Sequence, residues 1–312
     1  MDQNDIRRLG IIYNPRAGGG TMRPIRSVND YDQFIQRVRK AKMKHIDHQV
    51  KTTEYSTHAD QIGRHMYYDG IREFVVIGGD GTIHEAVNGI MEAMRKDPAG
   101  RVKLGIVPRG TGNSFVRDLP QTDEANLWNA ICEDRWHPCD VVKIRLDYGF
   151  LYSINLISIG FVAEVAKLRN KYFWPFGSMG YIMAVLSKLV TLSPKTYHYS
   201  FNGQDYSKPM TFLSINNSRF TGGSMKMAPD AKYDDKKFDV IEVGPMSPLR
   251  LLAAFPKIFS GKHISMPEVT ASQSTLLQFD PLLEADLMID GEVIRAKVEE
   301  ISILPDLIYL FY

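Results

Sequence analysis

Phe74, Val75, Val76 and Ile77 run without interruption into Gly78, Gly79, Asp80, Gly81 and Thr82, and a helical pattern starts directly afterwards. An unbroken apolar run marks a strand buried on both faces, which is the condition of a parallel sheet covered by helices. The segment that follows, 82–94, places Ile83, Val87, Ile90, Met91 and Met94 on one stripe. The same alternation extends to both sides. Strands are expected at 9–13, 48–53, 73–77 and 102–107, with helices at 28–44 and 57–68. Strands alternating with helices imply a parallel sheet with right-handed crossovers.

The pattern changes near residue 140. Segments 141–146, 151–157, 196–201, 210–216, 238–243, 275–280 and 287–289 read as strands, and turn pairs such as Asn202-Gly203 and Asp290-Gly291 separate several of them. Helical insertions are expected at 171–192 and 248–259. The expectation is therefore α/β plus β. An α/β domain spans 1–138, with 303–312 returning to it, and a β-rich domain spans 139–302. The hydrophobic share of 44% and charged share of 24% are those of an ordinary globular chain. A formal net charge of +2 lacks the broad basic field of nucleic-acid binders. Cys132 and Cys139 are expected as free thiols in a reducing cytosol. No stretch suits a signal peptide or the roughly 20 apolar residues of a membrane span, so membrane contact is expected to be peripheral.

Three glycine-rich loops follow strands of the first domain, where open α/β sheets bind ligands. The first is Asn14, Pro15, Arg16, Ala17, Gly18, Gly19 and Gly20. The second runs from Gly78 to Thr82 at a helix N-terminus, whose free N–H groups and positive dipole end suit phosphate. Asp80 would repel a phosphate unless a cation bridges the two, and Mg2+ held by a carboxylate and phosphate oxygens answers that need. The alternative is that Asp80 caps its helix. The third loop is Pro108, Arg109, Gly110, Thr111, Gly112 and Asn113. Thr111 and Asn113 can donate hydrogen bonds there, while Arg109 is expected in solvent.

The stretches 11–20, 75–90, 104–115 and 290–292 together resemble the catalytic domain of the diacylglycerol kinase family, which includes sphingosine and ceramide kinases. The resemblance implies a phosphofructokinase-like α/β domain joined to a β-sandwich, an ATP-dependent lipid kinase, and Mg2+. Carried over residue by residue, it assigns nucleotide contacts to Asn14, Pro15, Arg16, Ala17, Gly18, Thr53, Gly79, Asp80, Gly81, Thr82, Ile83, His84, Glu85 and Thr111. Glu292 becomes the general base toward the lipid hydroxyl, with Asp80 as its catalytic partner. Read alone, Asp290-Gly291 is a hairpin turn and Glu292 an exposed strand residue. Relatives hold a structural magnesium on one Asp and two backbone carbonyls, which here are Asp235 and the carbonyls of Lys232 and Lys237. Lys236 replaces the usual glycine, and a solvated charged turn is the alternative. Ser114 replaces the usual Asp of bacterial relatives, which leaves the acceptor lipid open.

The aromatic stretch Tyr172, Phe173, Trp174, Pro175, Phe176 and Gly177 is read either as a lipid entrance touching a membrane or as core packing. The expected partners are a lipid substrate, a peripherally touched membrane and no nucleic acid, compatible with a homodimer and a cytoplasmic location. The competing readings are an NAD kinase-like soluble kinase and a non-catalytic lipid or nucleotide sensor.

Overall fold

The computed structural model describes residues 7–18, 46–98, 100–120 and 124–312. The helix expected at 28–44 and the glycines at 19 and 20 lie outside them. The chain forms two compact units, one comprising residues 1–139 and 306–312, the other 140–305.

In the first unit, strands β1 (Arg7–Tyr13), β2 (Ile46–Thr52), β3 (Glu73–Gly78) and β4 (Val102–Pro108) alternate with helices α1 (His58–Tyr68), α2 (Asp80–Lys96) and α3 (Glu124–Cys132). All pairings are parallel, in the order β2-β1-β3-β4, and residues 308–310 of the last strand pair in parallel beyond β4. The chain steps from β1 outward to β2 and returns to the other side of β1 with β3. The order therefore reverses between β1 and β3, the place where such sheets open a ligand crevice. Every residue of β3 is buried, in line with its unbroken apolar run. Helices α1 and α2 pack at very short range. A Cβ on Gly89 would stand 2.0 Å from the Asp60 carbonyl oxygen, so only glycine lets the two helices meet there.

The second unit begins within β5 (Trp136–Leu146), followed by β6 (Gly149–Ser153), β7 (Leu156–Gly160), α4 (Phe161–Leu168), a π turn (Arg169–Phe173), a 3-10 turn (Trp174–Phe176) and α5 (Gly177–Leu189). Strands β8 (Lys195–Phe201), β9 (Gln204–Met210), β10 (Phe212–Asn216), β11 (Phe220–Thr221), β12 (Met225–Lys226) and β13 (Phe238–Val243) come next. Short helices α6 (Pro248–Ala254) and α7 (Lys257–Ser260) precede β14 (Val269–Ser274), β15 (Leu276–Ile289) and β16 (Glu292–Phe311). Its sheet is antiparallel, in the order β14-β13-β10-β7-β15-β16. The α/β plus β expectation matches this architecture.

Three expected elements differ. The strand read at 151–157 is two strands, because the N–H groups of Asn155 and Leu156 turn to the Asp290 carboxylate at 3.2 and 3.1 Å instead of a neighbouring strand. The strands read at 275–280 and 287–289 are one strand, β15, with a register shift between Gln278 and Leu283. A bulge interrupts the alternation that sequence reading relies on. The helical region read at 171–192 starts ten residues earlier in α4, which is apolar enough to look like strand.

Candidate active site

The three glycine loops leave the C-terminal ends of β1, β3 and β4, and the first unit stitches them together. The Asn14 amide donates to the Thr82 hydroxyl at 2.8 Å, joining loops one and two. Gly18 sits at φ 79°, and a Cβ there would stand 2.5 Å from the Arg109 carbonyl oxygen, so loops one and three touch backbone to backbone. The same holds for loops two and three. A Cβ on Gly79 would lie 2.8 Å from the Gly110 Cα, and one on Gly110 would lie 2.4 Å from the Gly79 Cα. The Arg109 N–H also donates to the Gly78 carbonyl at 2.8 Å. Glycine is needed where two backbones approach this closely.

Asp80 is half-buried in the first turn of α2. Its carboxylate accepts the Ser114 N–H at 2.9 and 3.2 Å, and the preceding residue, Gly79, has no side chain with which to cap the helix. Asp80 thus ties loop three to the helix start. This N-terminus is built from small residues and a parallel dipole, which favours an anion. Ser114 itself is buried. Its backbone role was invisible in the sequence, since only its side chain had drawn attention.

The remaining residues assigned to the nucleotide divide. Pro15, Arg16 and Ala17 form the turn after β1, closed by the Arg16 N–H on the Asn14 side-chain oxygen at 2.9 Å. Thr53 is buried beside that turn, its N–H on the Tyr13 carbonyl at 2.8 Å. Gly81 is half-buried and Thr111 exposed. Ile83 is a core side chain, and its N–H is spent on the Gly79 carbonyl at 3.1 Å. Next to it, His84 is half-buried and accepts the Asn88 amide at its carbonyl, 2.8 Å away. Glu85 faces elsewhere: its carboxylate accepts the N–H groups of Thr57 at 2.8 Å and Ala59 at 3.3 Å, holding the start of α1. Five helical positions separate it from Asp80, about 140° around the axis. Arg109 pairs with Glu124 at 3.0 Å rather than standing in solvent alone.

In the second unit, Asp290 (φ 51°) and Gly291 (φ 100°) form a two-residue turn joining β15 to β16, with Ile289 paired to Glu292. Positive φ at both positions is the signature of a type I′ turn. The Asp290 carboxylate is buried, accepting from the Ser153 hydroxyl at 2.5 Å as well as from the two N–H groups between β6 and β7. Glu292 is exposed at the hairpin end. Its neighbour Val293 packs on a cluster that lines a small, half-open apolar pocket of about 70 Å³. The pocket draws on α4, α5, α6 and a methionine-rich set, Met225, Met227, Met246 and Met266. Scattered methionines had given no signal in the sequence.

Asp235 accepts the Lys237 N–H at 3.2 Å and the Gln273 amide at 3.3 Å. The turn is anchored on Asp140, whose carboxylate accepts the Lys236 N–H at 2.6 Å and whose own N–H reaches the Tyr233 carbonyl. Lys236 adopts φ 65°, the left-handed conformation for which glycine is suited. Burial, then the charges of Asp235 and Asp230, push the Asp239 carboxyl up to about 6. Among the described residues no group of three or more His, Cys, Asp or Glu side chains is placed to hold a metal ion, and Lys232, Lys236 and Lys237 share this turn.

Residues 8–144 match the model of the diacylglycerol kinase catalytic domain, and residues 155–312 match the YegS C-terminal NAD kinase beta sandwich-like domain. The chain belongs to the diacylglycerol kinase family. Among its relatives, a diacylglycerol kinase of Mycobacterium tuberculosis (strain H37Rv) is 27% identical over 76% of this chain and 75% of its own length. One from Bacillus subtilis is 23% identical over 92% and 90%. Sphingosine kinase 1 of Arabidopsis thaliana is 24% identical over 84% of this chain and 61% of its own. A crystal structure of a diacylglycerol kinase from Bacillus anthracis superposes with a TM-score of 0.67 at 18% identity, covering 100% of this chain and 98% of that one. At that identity the likeness speaks for the fold.

Proposed function

We propose that this chain is an ATP- and Mg2+-dependent lipid kinase that moves the γ-phosphate of ATP onto a lipid hydroxyl. The observation that carries the reading is the stitched loop cluster, with Asp80 held by the Ser114 N–H at the start of α2. Phosphoryl transfer asks the protein mainly for positioning and charge stabilisation. Loops one to three would cradle the triphosphate through backbone N–H groups, and Asp80 would hold Mg2+. Bound there, the ion offsets the negative charge on the phosphates. Glu292 would accept the proton of the lipid hydroxyl as its oxygen bonds to the γ-phosphorus and the bond to the β–γ bridging oxygen breaks. The products are a lipid phosphate and ADP. Asp235 and the carbonyls of Lys232 and Lys237 would hold a second, structural Mg2+.

Two features of the second unit support an apolar acceptor. One is the methionine-lined pocket. The other is α5, in which apolar side chains predominate. Its Val185 and Leu189 are buried, yet Met179, Met183, Leu186 and Val190 form an exposed stripe on its other side. Trp174 and Phe176 are exposed just before it. Among the described residues, no helix is long and apolar enough to cross a membrane. An exposed apolar stripe of this kind suits a lipid surface. The segments 161–195 and 246–268 carry eight Lys and Arg against two Glu, while the whole chain is only +2, so this region would favour anionic lipid. We read the surface as a peripheral membrane contact.

The test is labelled-phosphate transfer from ATP to diacylglycerol, monoacylglycerol, sphingoid base, ceramide and NAD. Product on at least one lipid and none on NAD is expected. Phosphorylation of NAD alone, or of nothing, overturns the reading.

A further inference from the structure

The second unit holds a cavity that none of the sites above uses. Between Gln278 and Leu283, strand β15 leaves its ladder with β16, and residues 279–282 stand opposite Glu299 alone. A bulge of this kind bends the strand and takes main-chain groups out of the ladder. Beside it opens a cavity of about 740 Å³. Phe279, Asp280 and Leu282 of the bulge line it, with Asp205 and Tyr206 of the β8–β9 hairpin and the Arg145–Glu299 ion pair. That volume falls among the roughly 300–1,000 Å³ of small-molecule sites.

The lining asks for two kinds of partner at once. Arg145 Nε is buried without a hydrogen-bond partner. A guanidinium N–H can only donate, so this atom needs an acceptor. Asp205 and Asp280 are exposed carboxylates with no ion pair among the described residues, and an ionised carboxylate needs donors. Phe279, Tyr206 and Leu282 supply apolar surface in the same cavity. A hydrocarbon would leave the charged groups stranded. A phosphate answers Arg145 but meets three carboxylates, those of Asp205, Asp280 and Glu299. A cation answers the carboxylates but brings no acceptor to Arg145 Nε. A sugar carries hydroxyls that both donate and accept, with C–H faces for the apolar surface.

We propose that this cavity binds a small carbohydrate, with a sugar oxygen accepting from Arg145 Nε and sugar hydroxyls donating to Asp205 and Asp280. The site shares no residue with the glycine loops, Glu292 or the methionine-lined pocket, and it does not depend on the kinase reading. A free sugar and the headgroup of a glycolipid present the same chemistry, and the experiment separates them.

The full chain is titrated with maltose by calorimetry, and the arginine Nε–H groups are followed by NMR in 15N-labelled protein. Maltose should bind with a Kd of about 1 mM or tighter. The Arg145 Nε–H cross-peak, identified by its loss in Arg145→Lys, should move with maltose and stay in place with choline or inorganic phosphate, a readout made on the wild type. Asp205→Ala combined with Asp280→Ala should weaken maltose by about tenfold or more. Both positions are exposed, so the melting temperature should hold. Sedimentation with phosphatidylcholine vesicles is then compared with and without glucosyl diacylglycerol. Extra sedimentation that maltose reverses assigns the site to a glycolipid headgroup, and its absence while maltose still binds assigns it to a free sugar. No heat with maltose, a stationary Arg145 cross-peak, full affinity in the double variant, or a cross-peak that answers phosphate or choline instead overturns the proposal. None of these results bears on phosphate transfer from ATP, so either reading can fail alone.

Discussion

The loop cluster of the first unit and the apolar pocket of the second are built from opposite materials. The cluster is backbone against backbone: Gly79 on Gly110, Gly18 on Arg109, and a carboxylate on a main-chain N–H. The pocket is side chain against side chain, with four methionines in its wall. Methionine has three soft torsions and fills irregular space, whereas glycine contacts leave no slack. On the proposed reading the cradle holds a triphosphate, whose charge a rigid set of N–H groups suits. On the same reading the acceptor is a lipid, and a wall that can repack suits chains that vary.

The sharpest way to break this contrast is to remove charge from the cluster without moving its backbone. Asp80→Asn keeps an oxygen for the Ser114 N–H, so unfolding in denaturant should change by a few tenths of a kcal/mol. Turnover should fall about 10³-fold if charge at that point stabilises the transferring phosphoryl group. Unchanged turnover would take Asp80 out of the chemistry. Glu292→Gln, at an exposed position, should lower kcat about 10²-fold with KM for ATP unchanged, as measured by steady-state kinetics. Loss of ATP binding instead would argue against a role as proton acceptor.

Structural substitutions should separate the units in the same way. Gly79→Ala forces a Cβ toward Gly110 and should cost about 1–3 kcal/mol of stability in denaturant titrations. Met227→Leu, which nearly conserves volume in the pocket, should cost less than about 1.5 kcal/mol. Equal costs would show that the pocket is as unforgiving as the loops. On the exposed stripe, Leu186→Gln should leave the melting temperature in place and weaken sedimentation with phosphatidylglycerol vesicles by about tenfold. Binding that survives would move the membrane contact elsewhere.

The smallest effect concerns acid. Burial lowers the pKa of His263 in the folded chain, so the unfolded chain binds more protons below about pH 6.5 and stability falls as pH drops. Over the unit from 6.5 to 5.5 the loss is at most about 1.4 kcal/mol. Thermal melts at pH 7.5 and 5.5 should show a shallower drop for His263→Leu than for the wild type.

The same contrast explains what could be read in advance. The α/β plus β architecture and the loops of the first unit were legible because close backbone approaches demand glycine, and glycine leaves a visible mark at each strand end. The strand break at Asn155 was not legible, since its cause is Asp290, some 135 residues away in sequence. Glu85 was drawn toward the nucleotide by likeness to relatives, yet its carboxylate holds the start of α1. Gly89 serves helix packing against Asp60, a partner that lies in another helix. The unmet donor on Arg145 depends on which surfaces surround it, and no local pattern reports that.

Strand β16 begins at Glu292 in one unit and finishes beside β4 in the other. During synthesis the ribosome releases Val102 about two hundred residues before Ile308, its partner in the ladder. Until then β4 presents an unpaired rim to solvent. The half of the molecule made first is consequently the half that must wait, and removing the final seven residues should leave it open along that rim.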